Sequence, residues 1–227
     1  MNDTIIGTTM SISLNICRLV DERLQASNVD MTFDLEIDPS FSQADQKQKL
    51  GLIRKWIDNI LKNCIAFNVH SQIDTELLGQ VINPVMFCPD EPHDYMLLLL
   101  ITAKLNAIGD GIVKVESSMI SSDSNQGFGN NLVGDPLDLL PTAEDWMGEP
   151  RYYQKPWWDR PDGGMMDLPV EEGEDPMVKP DILINLMPID VEVVFDENEP
   201  AAVEEKEILD NEAGEIINLN SFKPKKK

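Results

Sequence analysis

The stretch "DYMLLLLITAKLNAIGDGIVKVESSMI", residues 94–120, holds two different hydrophobic patterns separated by a glycine-containing turn. Residues 94–108 are strongly apolar and are followed by Gly109, which predicts a largely buried helix. Residues 111–120 alternate apolar and polar side chains, which predicts a strand with one face in water. A buried helix followed directly by a half-exposed strand indicates helices packed on a sheet.

Three further segments show helical spacing of their apolar residues. Residues 43–65 carry a single apolar stripe behind Ser42 and Asp45, which resemble a capping box, so we expect a helix there. In residues 10–27, Ile12 and Ile16 begin a series at helical spacing, which predicts another helix. The segment 74–82 suits a short helix.

Two short segments before residue 94 indicate strands. The sequence "MTFDLEI", residues 31–37, alternates strictly, and "IAFNV", residues 65–69, is rich in strand-forming residues. With the helices they predict an α+β, or mixed α/β, core domain over residues 1–120, in which helices cover a small sheet.

The composition changes after residue 120, where glycine, proline and acidic residues become frequent. We expect a Gly/Pro-rich loop and a long aromatic arm over residues 121–180. Two strands at 181–187 and 190–195 are predicted to return to the core sheet. Residues 196–227 are predicted to form an acidic, partly disordered tail that ends in the basic sequence "KPKKK".

The charge balance restricts the possible partners. The chain has 41 acidic and 18 basic residues among 227, a formal net charge of -23, which opposes direct binding to nucleic acid or to an anionic membrane. A protein with a basic surface is the expected partner. The longest apolar run, residues 95–101, is too short to span a bilayer, and the N-terminus lacks the pattern of a signal peptide, so we expect a cytoplasmic protein.

The aromatic arm is the most unusual feature of the composition, since it holds five of the fourteen aromatic residues within thirteen positions. Together with two arginines, these are the predicted partner-binding residues: Trp146, Arg151, Tyr152, Tyr153, Trp157, Trp158 and Arg160. The alternative is that the arm covers its own domain. An arm of this kind can also exchange between protomers, which allows a homo-oligomer. Base stacking is disfavoured because acidic residues outnumber basic ones around the arm.

Catalytic and metal-binding motifs are incomplete. Asp34, Glu36 and Asp38 are candidate metal ligands because they project from the same face of a predicted strand, but the favoured explanation is the solvated face of an amphipathic strand. Cys88 and His93 share a loop, but its acidic residues oppose formation of a thiolate. The three cysteines show no zinc or disulfide spacing, and no cofactor motif is present, so no cofactor is expected.

These observations predict a non-enzymatic accessory or assembly protein that binds another protein through its aromatic arm and acidic surface, within a larger complex. One alternative is an acidic mimic of nucleic acid that inhibits a DNA- or RNA-binding protein, a type of protein often encoded by phages and mobile elements. The other is a metal-dependent hydrolase or nuclease, for which the ligands have not been found.

Overall fold

The computed structural model describes residues 6–20, 23–71, 84–148 and 153–167. They form a six-stranded mixed sheet whose two long helices pack on one face, which confirms the α+β class. No helix in these ranges is long and apolar enough to cross a membrane.

The described elements follow the order strand, strand, helix, strand, strand, helix, strand, strand, helix. In chain order they are β1 (Ile6–Val20), β2 (Arg23–Ile37), α1 (Gln43–Trp56), β3 (Ile65–Asn68), β4 (Val85–Cys88), α2 (Asp94–Gly109), β5 (Val113–Ser122), β6 (Gly129–Val133) and α3 (Ala143–Met147). A π-helical turn, Ile57–Leu61, extends α1, and short 3-10 turns occupy Asp123–Asn125, Pro136–Leu139 and Trp157–Asp159.

The strands lie in the order β4-β3-β1-β2-β5-β6. β1 and β2 form a long antiparallel hairpin, from the pair Ile6 and Ile37 to the pair Val20 and Arg23. β3 runs parallel to β1 and β4 parallel to β3, whereas β5 and β6 continue the antiparallel half. Because β3 pairs with β1 only at Cys17–Leu19, the outer edge of β1 before Asn15 has no strand partner among the described residues.

The helix predicted over residues 10–27 is wrong, because this segment forms β1 and the start of β2. The inward side chains of β1 include Leu14, Ile16, Arg18 and Val20, which alternate with polar or half-buried residues. Arg18 occupies a core-facing position, where an apolar residue is expected in a strand. This charged residue interrupts the apolar and polar alternation that would otherwise have predicted β1. The remaining apolar residues then match helical spacing by coincidence.

The other predicted elements within the described ranges are confirmed, with shifts at their ends. The helices at 43–65 and 94–108 correspond to α1 with its π-helical turn and to α2, and the strands at 31–37, 65–69 and 111–120 lie in β2, β3 and β5. β4 and β6 were not predicted. The helix at 74–82, the strands at 181–187 and 190–195, and the tail at 196–227 lie outside the described residues.

α2 is buried on nearly every side because it lies in a middle layer. One side packs on β5, and another contacts the 3-10 turns at Pro136–Leu139 and Trp157–Asp159. This position explains why twelve of its residues are buried and why its sequence has no polar stripe. The opposite face of the sheet carries exposed polar side chains, and Thr9 and Ser13 there donate hydrogen bonds to Asp34 and Asp30.

Candidate functional site

Residues 153–167, which we call the Trp segment, cover α2 and contain most of the predicted partner-binding residues. Trp157 and Trp158 are 0% and 1% exposed and belong to the main core. Their rings meet edge to face with centroids 5.6 Å apart, and Trp146 lies 5.0 Å from Trp158. Trp157 and Trp158 in a 3-10 turn, with Trp146 of α3 beside them, therefore form the outer cover of α2.

Lys104 on α2 binds the Trp segment through three hydrogen bonds. Its ammonium is fully buried and donates hydrogen bonds to the carbonyls of Trp157 and Arg160, both at 2.8 Å. Asp162 accepts a third bond at 3.3 Å. Burial lowers the pKa of Lys104 to about 8, while the charge of Asp162 acts in the opposite direction. The lysine thus binds the backbone of a segment whose only regular element is the 3-10 turn Trp157–Asp159.

Arg160 holds the segment in its folded shape. Its guanidinium donates to Asp162 Oδ2 at 2.9 Å and to Asp167 Oδ1 at 2.5 Å, and it stacks 3.8 Å from the centre of the Tyr153 ring. Asp167 Oδ2 accepts from the Trp157 amide and from Trp146 Nε1, both at 2.8 Å. The carboxylates that orient Arg160 therefore belong to its own chain.

The Trp segment also covers the outer edge of β4 and makes hydrogen bonds with its backbone. The Phe87 amide donates to the Met165 carbonyl at 2.9 Å, and Trp157 Nε1 donates to the Phe87 carbonyl at 2.8 Å. On the outer face, Tyr153 and Met166 belong to a second cluster with Phe67 and Phe87. Because edge strands expose unpaired backbone groups, this cover protects β4 from pairing with another chain.

The structure places the predicted partner-binding residues in these internal contacts. Tyr153, Trp157, Trp158 and Arg160 are buried, and Trp146 is half-buried against the core. Arg151 and Tyr152 lie outside the described residues. The described part of the arm thus covers its own domain, and its contact with a partner stays a prediction.

The opposite edge of the sheet, at β6, is different. No described strand pairs with the outer side of β6, and the eleven residues 124–134 around it carry no charge. Three apolar side chains, which we call the β6 patch, are exposed here: Met119 by 46%, Phe128 by 69% and Val133 by 81%. Met119 on β5 lies opposite Asn131, and Val133 lies opposite Ser117, so both side chains project from the outer face, while Phe128 directly precedes β6. An uncharged, unpaired and partly apolar edge is typical of a contact surface.

Acidic residues follow β6 along the chain. Residues 115–150 contain seven acidic residues and no lysine or arginine, although Lys114 pairs with Glu116 on β5. They include Asp135 and Asp138, which are exposed just beyond the end of β6. Exposed apolar side chains with acidic residues beyond one end suit a partner that has an apolar surface beside basic residues.

The three candidate metal ligands, Asp34, Glu36 and Asp38, each interact with different neighbouring residues. Asp34 accepts hydrogen bonds from Ser117 and Thr9, which lower its pKa. A hydrogen bond with Glu116 raises the pKa of Glu36, and Asp38 accepts from the Ser40 amide. No group of three or more His, Cys, Asp or Glu residues in the described ranges is arranged to hold a metal ion.

Cys88 and His93 do not form a nucleophile and base pair. Cys88 is fully buried, and this burial raises the pKa of its thiol well above the usual value, with smaller contributions from Cys64 and Glu91. His93 is exposed at the start of α2. A buried thiol that resists ionisation is a structural residue rather than a nucleophile.

Sequence reasoning missed the β6 patch and Lys104. Residues 121–135 were predicted to belong to a Gly/Pro-rich loop because of their glycines, although "NNLV" lies between two of them as a short strand. The lysine within the apolar run "LLLLITAKLNAI" was the detectable sign of a buried cation, because such a lysine requires acceptors. The acceptors themselves come from residues more than fifty positions away.

Among the described residues, the chain thus covers the β4 edge itself and leaves the outer side of β6, as well as the outer edge of β1 before Asn15, without a strand partner. The sequence matches no known protein-family model, and a search of curated proteins found no match.

Proposed function

We propose that this chain is a non-enzymatic accessory or assembly protein, and that it binds another protein through the unpaired edge and exposed apolar side chains at β6. The partner surface is apolar at its centre and basic at its margin. The aromatic arm supports this role by covering the β4 edge and α2, and the acidic surface steers a basic partner to the contact.

The main support for the proposal is that the chain covers the edge of the sheet at β4 but no described segment covers the edge at β6. The chain uses the Trp segment to cover β4, with Phe87 bonded to Met165 and Trp157. At β6 no described segment provides such a cover, and Val133 is 81% exposed without a charged neighbour from 124 to 134. Edge strands of soluble proteins commonly carry lysine, proline or a bulge that prevents pairing, and β6 carries neither lysine nor proline.

The test places a lysine within the proposed contact. Val133→Lys puts a charge at an exposed position of β6, and Leu24→Lys makes the same change at a position 67% exposed on β2. Both variants should keep the stability of the wild type to within about 0.5 kcal/mol. We expect affinity capture from the native host lysate, quantified by mass spectrometry, to lose the specific partner with Val133→Lys and to retain it with Leu24→Lys. Equal capture by both variants would remove β6 from the contact.

A nucleic-acid mimic is the second candidate, and the outer face of the sheet supports it. Asp30 and Asp34 are held there in fixed orientations by Ser13 at 2.6 Å and by Ser117 at 2.6 Å. Ionic strength separates the two functions, because a mimic bound through carboxylates loses most of its affinity in high salt whereas an apolar edge contact retains it. A partner captured equally by both lysine variants and released by salt would favour the mimic.

A further inference from the structure

The first half of β1 points a row of backbone groups at an edge where no described strand lies. The Asn15 carbonyl accepts from the Asn63 amide and the Cys17 amide donates to the Cys64 carbonyl, both at 3.0 Å, so residues 15 and 17 point their backbone groups away from β2. β1 pairs with β2 residue by residue, without a register shift. Because backbone groups alternate between the two sides of a strand, those of four earlier residues point to the same side. These residues, for which the described residues provide no backbone partner, are Gly7, Thr9, Ser11 and Ser13.

The sequence of β1 does not protect this edge from pairing. Residues 6–17 contain no charged residue and no proline, whereas edge strands of soluble proteins commonly carry lysine, proline or a bulge. On the inner face, Met10 and Ile12 are only half-buried, although Leu14 further along the strand is 3% exposed. A strand beside β1 would supply the missing hydrogen bonds and cover these two side chains.

Residues 181–187, which lie outside the described residues, have a sequence suited to that position. The stretch "DILINLM" carries no charge after its first residue, and Pro180 and Pro188 confine a strand to these seven residues. Three of its apolar residues share one face of such a strand: Ile182, Ile184 and Leu186. The strand predicted at 190–195 contains two acidic residues, which suit a new outer edge of the sheet.

The connecting chain is long enough for this pairing. The Met165 carbonyl accepts from the Phe87 amide, and the register of β4 with β3 and of β3 with β1 places Phe87 level with Leu19. From there the near end of the open β1 edge is about 20 Å away and the far end about 40 Å, by strand rise and spacing. The fourteen residues 168–181 span at most about 50 Å. An antiparallel strand enters at the near end and needs no full extension, whereas a parallel strand would have to enter at the far end.

We propose that residues 181–187 pair antiparallel with residues 7–14 of β1 in the same chain and add a strand to the six described. A second copy of β1 has the same unpaired edge, but two molecules that each carry a net charge of -23 repel one another. The connecting chain also gives its own segment a high local concentration at the edge. This pairing does not involve β6, so it and the proposed function can fail independently.

Amide hydrogen exchange, measured by nuclear magnetic resonance on the full chain, tests this pairing residue by residue. In the wild type, the four outward amides should exchange at least about 100-fold more slowly than in an unstructured chain. Since alternate residues of an added strand face β1, either Ile184→Pro or Asn185→Pro removes a hydrogen bond to it. At least one of these variants should accelerate the four amides by about tenfold or more, while the amides of Thr8 and Met10, which face β2, keep their rates. Val178→Pro, in the connecting chain, is the matched control and should leave all of these rates unchanged.

Nuclear Overhauser contacts in the wild type give a second measurement that needs no variant. At the outer edge, Thr8, Met10 and Ile12 occupy the non-hydrogen-bonded positions, where the Hα atoms of antiparallel strands approach one another. Contacts between these Hα atoms and the Hα atoms of residues 181–187 are expected. In a mixture of isotope-labelled and unlabelled chains, no such contact should join two copies.

The proposed pairing is wrong if the four outward amides of the wild type exchange as fast as in an unstructured chain. It is also wrong if they are protected in every variant and the Hα contacts to residues 181–187 are absent, because another segment then covers the edge. Contacts that join labelled to unlabelled chains would assign the edge to a second copy instead. If neither proline variant folds, the contacts in the wild type decide.

Discussion

The buried ammonium of Lys104 should make the stability of this protein rise at alkaline pH. Burial lowers the pKa of Lys104 from 10.5 to about 8 in the folded chain, partly offset by Asp162. Between these two values the unfolded chain binds more protons than the folded chain, so the free energy of unfolding increases with pH. The folded protein carries the full penalty below pH 8 and loses it as the pH approaches 10.5.

The magnitude follows from the two pKa values. They differ by about 2.5 pH units, and each unit corresponds to about 1.4 kcal/mol, which gives about 3 kcal/mol in total. Lys104→Met removes the titrating group and keeps a similar volume. The free energy of unfolding of the wild type, relative to Lys104→Met, should therefore increase by about 3 kcal/mol between pH 7 and pH 10.5.

Urea unfolding, followed by the fluorescence of the buried tryptophans, measures this difference at both pH values. Groups that titrate in both proteins cancel in the comparison. Lys155→Met serves as the control for loss of one positive charge, because Lys155 lies in the same segment with a side chain that is 62% exposed. A difference between wild type and Lys104→Met that is equal at both pH values, or that moves in the opposite direction, would refute the reasoning.

Other parts of the structure give further measurable outcomes. Asp167→Asn should reduce the free energy of unfolding in urea by about 3 kcal/mol because it breaks a buried ion pair, whereas Asp159→Asn, at a partly exposed pair, should cost under about 1 kcal/mol. Iodoacetamide at pH 8 should modify Cys17 before Cys64 in the native protein, since burial raises the pKa of Cys64 to about 12, and mass spectrometry should find similar rates in urea. If the strand predicted at 181–187 pairs with the open edge of β1, deletion of residues 181–195 should accelerate amide hydrogen exchange in the first half of β1, and unchanged exchange would contradict that pairing.

The local sequence pattern was sufficient to predict the helices and strands in which buried residues recur at regular spacing. The capping residue Ser42 and the apolar stripe behind it predicted α1, and the alternation of residues 31–37 predicted the inner half of β2. The apolar run of α2 predicted a buried helix, although the cover that buries it lies in residues 136–159. These predictions succeeded because helix and strand periodicity depends on neighbours within a few positions.

The strands that were missed, β1 and β4, depend on contacts with residues far away in the sequence. β1 was missed because Arg18 faces the core, where Asp94 neutralises it from seventy-six positions away. β4 owes its place to pairing with β3 and to the cover supplied by Met165 and Trp157. A four-residue strand is too short to show a clear alternating pattern, so its sequence alone does not predict it.

The amino-acid sequence was enough to predict the mixed class of the fold, the acidic character of the protein and the concentration of aromatic residues near Trp157 and Trp158. It was consistent both with aromatics that face their own domain and with aromatics that face a partner. The folded chain buries Trp157 and Trp158 within itself and exposes Val133 at the other edge of the sheet. Burial depends on which surfaces meet after folding, whereas composition shows only that a residue is suited to burial.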